Sequence, residues 1–236
     1  MIINKGRIKA ILIKESQDIR KNTNVIYMYL LPIVLTILWE RFIPGMPEGF
    51  ALGFGLMFLV VMAGMYVPSM IIAEEKEKKT IEVLLLSPAT PAEVFIGKGL
   101  LTFILIIITA IILIFISGNQ LANLTLILLA TALTSIFSIF LGMMVGLLAQ
   151  NQMATGVIGL PVYLILLLVP QFAMMGVELM KNIGRFLPTY YYFDLLRLII
   201  EGKGLGEMHL HLSVLFGSIL ITFFVLLVIY NKRGIE

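Results

Sequence analysis

Apolar residues fill six long blocks of this chain, at about residues 25–43, 51–73, 94–117, 122–149, 154–175 and 211–230. A helix needs about 20 apolar residues to cross the bilayer hydrocarbon, so each block predicts one transmembrane helix. The clearest stretch runs from Gly99 to Val177, 79 residues without Asp, Glu, Lys or Arg, which holds three crossings joined by tight turns. The breaks between blocks are legible as turns: Pro44-Gly45-Met46-Pro47-Glu48-Gly49, then Ser117-Gly118-Asn119-Gln120, then Gln150-Asn151-Gln152. All three are rich in breakers or polar side chains.

Two further segments carry structure of their own. In residues 1–24, Ile8, Ile11, Leu12 and Ile19 fall near one face of a helix and Lys5, Arg7, Lys14, Arg20 and Lys21 populate the rest. That pattern predicts an amphipathic helix lying in the membrane interface. Charge throughout this segment, with no apolar core ahead of a small-residue site, argues against a secretory signal. Residues 176–210 mix charged, apolar and aromatic side chains, including Tyr190, Tyr191 and Tyr192. A structureless loop of that length is uncommon, so short re-entrant helices on the extracellular side are expected there, with tyrosines at the interface.

Composition agrees with a single all-α integral membrane domain over 1–236: 60% of residues are hydrophobic and 13% charged, against about a quarter charged in soluble domains. Lys and Arg in alternate loops set the orientation. With the N-terminus inside, twelve fall on the inner side and five outside, placing both termini in the cytoplasm of a cell (inner) membrane. The net charge of +3 is scattered over span ends, which argues against nucleic acid as a partner. With no cysteine, thiolate chemistry is excluded.

One block breaks the apolar pattern sharply. Glu74 to Glu82 has seven charged side chains in nine and runs straight into Val83-Leu84-Leu85-Leu86-Ser87-Pro88. Such a cluster must face water. Ile81, Leu84 and Leu85 recur at helical spacing, Thr80 is an N-cap candidate, Glu82 suits the first turn and Pro88 stops the helix. Thr90-Pro91-Ala92-Glu93 then reads as a capping box opening the next helix. Residues 74–92 read either as a solvated inner loop or as a docking segment for a soluble protein partner; four Glu against three Lys exceeds a topology signal, and the apolar face of the short helix has nothing in the membrane to cover it.

The run from Glu74 to Pro88, followed by Glu93 and Gly97-Lys98, resembles the first cytoplasmic loop of type-2 ABC exporter permeases. Lys14-Glu15 and Arg20 ahead of a span containing Pro32, and Pro188 to Tyr190 followed by Asp194 and Arg197, resemble the same family, with Lys79 standing where it usually has glycine. The resemblance implies a coupling helix in 74–92 seated on a separate ABC ATPase subunit, with Glu75, Glu77, Thr80, Ile81, Glu82, Leu84, Leu85, Ser87 and Pro88 in contact. It also implies a second permease subunit, identical or different, and ATP and Mg handled by the partner. This chain has no phosphate loop, because Ala92 and Gly99 stand where a GxxxxGK[ST] pattern needs Gly and Ser or Thr.

Other chemistry finds little support. His209 and His211 are two apart and point to different sides of a helix, unlike metal pairs. Asp194, Arg197 and Glu201 are spaced to pair on a helix, and with Tyr190 they read as a structural cluster at an extracellular gate. No Asp, Glu, Lys, Arg or His lies between Lys98 and Glu178, which disfavours proton relays and suits an amphiphilic or hydrophobic cargo such as a drug, a lipid-like molecule or a peptide. The expectation is thus a non-enzymatic permease subunit of an ATP-driven exporter. A self-contained carrier, a membrane-embedded enzyme and an ATPase anchor without transport are the alternatives.

Overall fold

The computed structural model describes residues 4–45, 49–78, 90–118 and 124–233. Among these the chain is all helix: α1 (Lys5–Lys21), α2 (Thr23–Phe42), α3 (Phe50–Glu77), α4 (Pro91–Ile116), α5 (Leu124–Leu148), α6 (Gln152–Met174), α7 (Glu178–Gly184), α8 (Pro188–Ile200) and α9 (Leu205–Arg233). Six of them, α2 to α6 and α9, are long and apolar enough to cross a bilayer. They match the six apolar blocks in order. The last helix starts ahead of its apolar block, and α3 continues through Glu74–Glu77 before ending in a turn at Lys78. Two short helices, α7 and α8, occupy the 176–210 segment.

Helix α3 is the axis of the bundle: 72% of an 18-residue apolar stretch in it is buried, against 17% for α2 and 22% for α9. Lipid tails are as apolar as leucine, so helices in a membrane are held by close packing and hydrogen bonds rather than by expulsion of water. The α3–α5 contact meets that condition with small residues. A Cβ on Gly142 would run into the Met65 carbonyl, and one on Gly146 would lie 2.7 Å from the Ser69 carbonyl. The two backbones therefore touch one helical turn apart. Further along α5, Thr131, Thr134 and Ser135 are wholly buried and each returns its hydroxyl to the carbonyl four residues back. Hydrogen bonds from Tyr192 to Thr131 (3.0 Å) and from Tyr163 to Ser69 (3.2 Å) join α8 to α5 and α6 to α3.

Pro68 distorts α3. It supplies no N–H to the carbonyl of Gly64, and its ring crowds that carbonyl. The preceding residues Leu59–Tyr66 accordingly widen into a π-helix, which adds a residue to the turn and relieves the clash. Gly64 lets Ser138 and Ile106 approach the widened segment. In α2, Pro32 sits inside the helix, and its own carbonyl accepts from Thr36 (2.9 Å), whose side chain fills the space that Gly55 leaves open on α3.

These contacts predict a sharp contrast between glycines. Gly142→Ala should cost about 1 to 3 kcal/mol by overpacking a backbone contact, seen as a lower thermal midpoint in detergent. Gly217→Ala, where an added Cβ meets nothing, should leave the midpoint at or above wild type.

Candidate functional site

The charged residues that flank the 79–89 loop converge on α1. Lys98, on the first turns of α4, is 2% exposed, and its ammonium lies 2.6 Å from Glu15 of α1 and 2.7 Å from Glu75 of α3. Lys14, half-exposed, reaches the same Glu75 Oε1 at 2.9 Å, Glu15 at 3.3 Å and Asp18 at 3.7 Å. Two buried carboxylates and two ammonium groups thus balance in one knot tying three helices, with the exposed Asp18 at its rim. A lone buried charge is strongly disfavoured, so each member depends on the others. Burial works against the charge on Lys14, and the hydrogen bond to Glu75 with the charges of Glu15 and Glu75 outweighs it, holding the group above the ordinary lysine value. Its contribution is complete below that ordinary value and is lost only as pH rises through the raised one, so it does not change around neutrality.

A second tie lies one turn nearer the loop. Glu93 accepts from the backbone N–H of Asn4 and of Thr90, both at 2.7 Å, and from Arg7 at 3.5 Å. Thr90 Oγ1 accepts in turn from the Glu93 N–H, completing the capping box expected from Thr90-Pro91-Ala92-Glu93. The same carboxylate caps α4 and holds the first turn of α1. Between these ties, Ile11 of α1 seats on Gly97, where a Cβ would come within 2.6 Å of it.

The other flank reaches the α5–α6 turn. Lys76 donates to the carbonyls of Leu147 (2.8 Å) and Ala149 (2.7 Å), groups left without donors at the end of α5. Glu77 accepts from the N–H of Gln152 (3.2 Å), the first residue of α6. Between α1, α2 and the end of α3 a cavity of about 570 Å³ is lined by charged residues, among them Lys14, Asp18, Glu74 and Lys78, and by Ile19, Val25 and Ile71.

Of the coupling-contact residues expected from sequence, Thr80, Ile81, Glu82, Leu84, Leu85, Ser87 and Pro88 lie outside the described residues. Glu75 is buried in the charge knot and Glu77 is engaged with the start of α6. Sequence reading placed Lys14, Glu15 and Lys98 in their motifs and missed that they meet. The one available signal was two basic and two acidic residues standing at the ends of three apolar elements.

On the opposite face, Asp194, Arg197 and Glu201 pair along α8 as their spacing predicted: Arg197 Nη2 lies 2.8 Å from Asp194 and Nη1 3.4 Å from Glu201. Tyr190 packs its ring against Gly184 of α7. His211 was the unexpected member. It turns in from α9, donates Nε2–H to Asp194 Oδ2 (2.9 Å) and meets the ring of Tyr191 edge-on. His209 stays exposed on the other side, against the Gly206 carbonyl. Among the described residues no group of His, Cys, Asp and Glu is arranged to hold a metal ion.

Six apolar helices with their charges gathered at the two ends define a multi-pass membrane protein. The sequence profile of the family described as ABC-2 family transporter protein matches residues 20–229, and the chain belongs to that family. It is therefore the membrane subunit of an ABC transporter, a transport component that works with an ABC ATPase. No curated protein matches the chain.

The charge knot predicts an asymmetric mutational response. Lys98→Met leaves two buried carboxylates side by side with only the half-exposed Lys14 to answer them and should cost about 3 kcal/mol, read as a lowered thermal midpoint in detergent. Adding Glu15→Gln to Lys98→Met should recover part of the loss.

Proposed function

We propose that this chain is the permease subunit of an ATP-driven exporter and that residues 74–92 receive the force. One observation carries the reading: the loop is flanked on both sides by side chains bonded to α1, through Glu75 before it and through Glu93 and Lys98 after it. A displacement of the loop by a docked ATPase would carry the ends of α3 and α4 together with α1, since separating them would strand buried charges. Lys76 and Glu77 pass the same displacement to the α5–α6 turn. Loop motion thereby becomes a rigid tilt of several spans, the kind of bistable movement by which packed helices transmit force.

In this reading the ATPase subunit binds ATP and Mg, and the coupling contact is made by Thr80, Ile81, Glu82, Leu84, Leu85, Ser87 and Pro88, with Glu75 and Glu77 acting behind it. Both termini are cytoplasmic in the cell (inner) membrane, on the arithmetic of twelve inner against five outer basic residues. A second permease subunit, identical or different, completes the pathway. The absence of ionisable residues between Lys98 and Glu178 favours an amphiphilic or hydrophobic cargo moved outward. Tyr190, Asp194 and Arg197 belong to the extracellular gate, where the Asp194 pair with His211 ties α8 to the last span.

Two experiments test these assignments. The double change Glu82→Lys and Leu84→Asp should abolish co-purification of the ATPase and its stimulated ATP hydrolysis while the permease keeps its wild-type thermal midpoint. An intact, stimulated complex would remove the loop from the docking contact. Arg197→Ala should alter export in proteoliposomes with the complex intact. Loss of assembly instead would make Arg197 a folding residue.

A further inference from the structure

Helix α1 presents three parallel stripes, each built from steps of three, four or seven residues, which return to one side of a helix. Ile11, Glu15 and Asp18 face the bundle and the charge knot. Ile8, Leu12 and Ile19 form a half-buried apolar band next to them, in which Ile19 packs against Val25 and Ile71 of α2 and α3. Beyond that band Lys5, Lys9, Ser16 and Arg20 form a basic stripe in which Lys5, Lys9 and Arg20 are exposed. Ile13, 50% exposed, borders the stripe on its far side.

The internal ion pairs sort the cations of α1 into two groups. Arg7 and Lys14 are consumed by Glu93, Glu15, Asp18 and Glu75. Lys5, Lys9, Arg20 and Lys21 take part in no ion pair among the described residues; Lys21 lies apart at the cavity, and both carboxylates of α1 lie on the inward stripe. What is left is a line of positive charge bounded on both sides by apolar side chains, on a helix joined through the single residue Asn22 to the first crossing.

We infer that the Lys5–Lys9–Arg20 stripe binds the headgroups of anionic phospholipids at the membrane surface, with Ile8, Leu12 and Ile13 dipping into the acyl boundary on either side. The placement of the apolar band decides between occupants. A soluble partner would meet cations interleaved with acids, which is the character of the opposite edge, where Lys14, Asp18, Glu74 and Lys78 line the cavity. Basic residues bordered by apolar ones on a juxtamembrane helix match a lipid surface, where each Lys or Arg strengthens association by about fivefold at moderate salt. The lipid then fixes the roll of α1 about its axis, and with it the side from which the charge knot is reached. This inference stands on the membrane location of the chain and is independent of where the ATPase docks.

The test titrates the full-length subunit, held in a zwitterionic detergent, with mixed micelles carrying either phosphatidylglycerol or phosphatidylcholine. Wild type should prefer phosphatidylglycerol, and the preference should shrink as salt rises. The triple change Lys5→Gln, Lys9→Gln, Arg20→Gln should weaken phosphatidylglycerol binding by one to two orders of magnitude, roughly fivefold for each charge removed. Removing equal charge from the far face, by Lys181→Gln, Arg185→Gln and Lys203→Gln, should leave the preference in place. Should the triple variant fail to fold, single Lys9→Gln and Arg20→Gln changes carry the test at about fivefold each. Undiminished preference in the triple variant, or equal loss in the far-face control, would overturn the inference. Retained lipid preference with loss of the co-purifying ATPase would reassign the stripe to protein docking.

Discussion

A lysine buried at the mouth of a membrane domain must be answered by carboxylates, and the way Lys98 is answered organises this protein. Glu15 and Glu75 come from two different helices and meet the ammonium of a third, with Lys14 restoring neutrality. Such a knot is poor as a source of net stability, because removing the charges from water offsets most of their attraction. It is strong as a constraint. None of the three helix ends can leave without parting a buried charge from its partners, so α1, α3 and α4 move together.

The membrane interior is built on the opposite principle. Charges are absent there, and the bundle is held by backbone proximity at Gly142 and Gly146 and by hydroxyl groups that satisfy themselves locally. Pro68 adds a π-helical stretch to the central helix in its most buried part. The spans therefore slide or tilt on close-packed, largely apolar surfaces while their ends on the α1 face are tied by ion pairs. That division suits a domain that receives force at one end and changes shape along its length.

The two faces use charge differently. On the α1 face the ion pairs join distant segments: Lys98 reaches Glu15, and Glu93 reaches Asn4 and Arg7. On the α7–α8 face Arg197 pairs within its own helix, and the charged contact that spans two helices among the described residues is the bond from His211 to Asp194. The first face is tied by ion pairs across three helices; the second is held by the His211–Asp194 bond, hydrogen bonds from Tyr191 to the Arg185 carbonyl and from Tyr192 to Thr131, and aromatic packing around them.

Much of this was legible from the amino-acid order alone, because bilayer thickness, turn chemistry and helix capping act locally. Six spans, the helix ahead of them, the Thr90–Glu93 capping box, the Asp194–Arg197–Glu201 spacing and the family resemblance all follow from neighbours a few residues apart. The meeting of Glu15, Glu75 and Lys98 could not be read that way, since these residues are separated by 60 or more positions between the first two and belong to three helices. Nor could the inward turn of His211, which depends on how α9 rotates against α8. Local physics determined the elements and their apolar faces; only the packing of those elements decided which charges would be buried together, because burial is a property of the neighbours that surround a side chain rather than of its place in the chain.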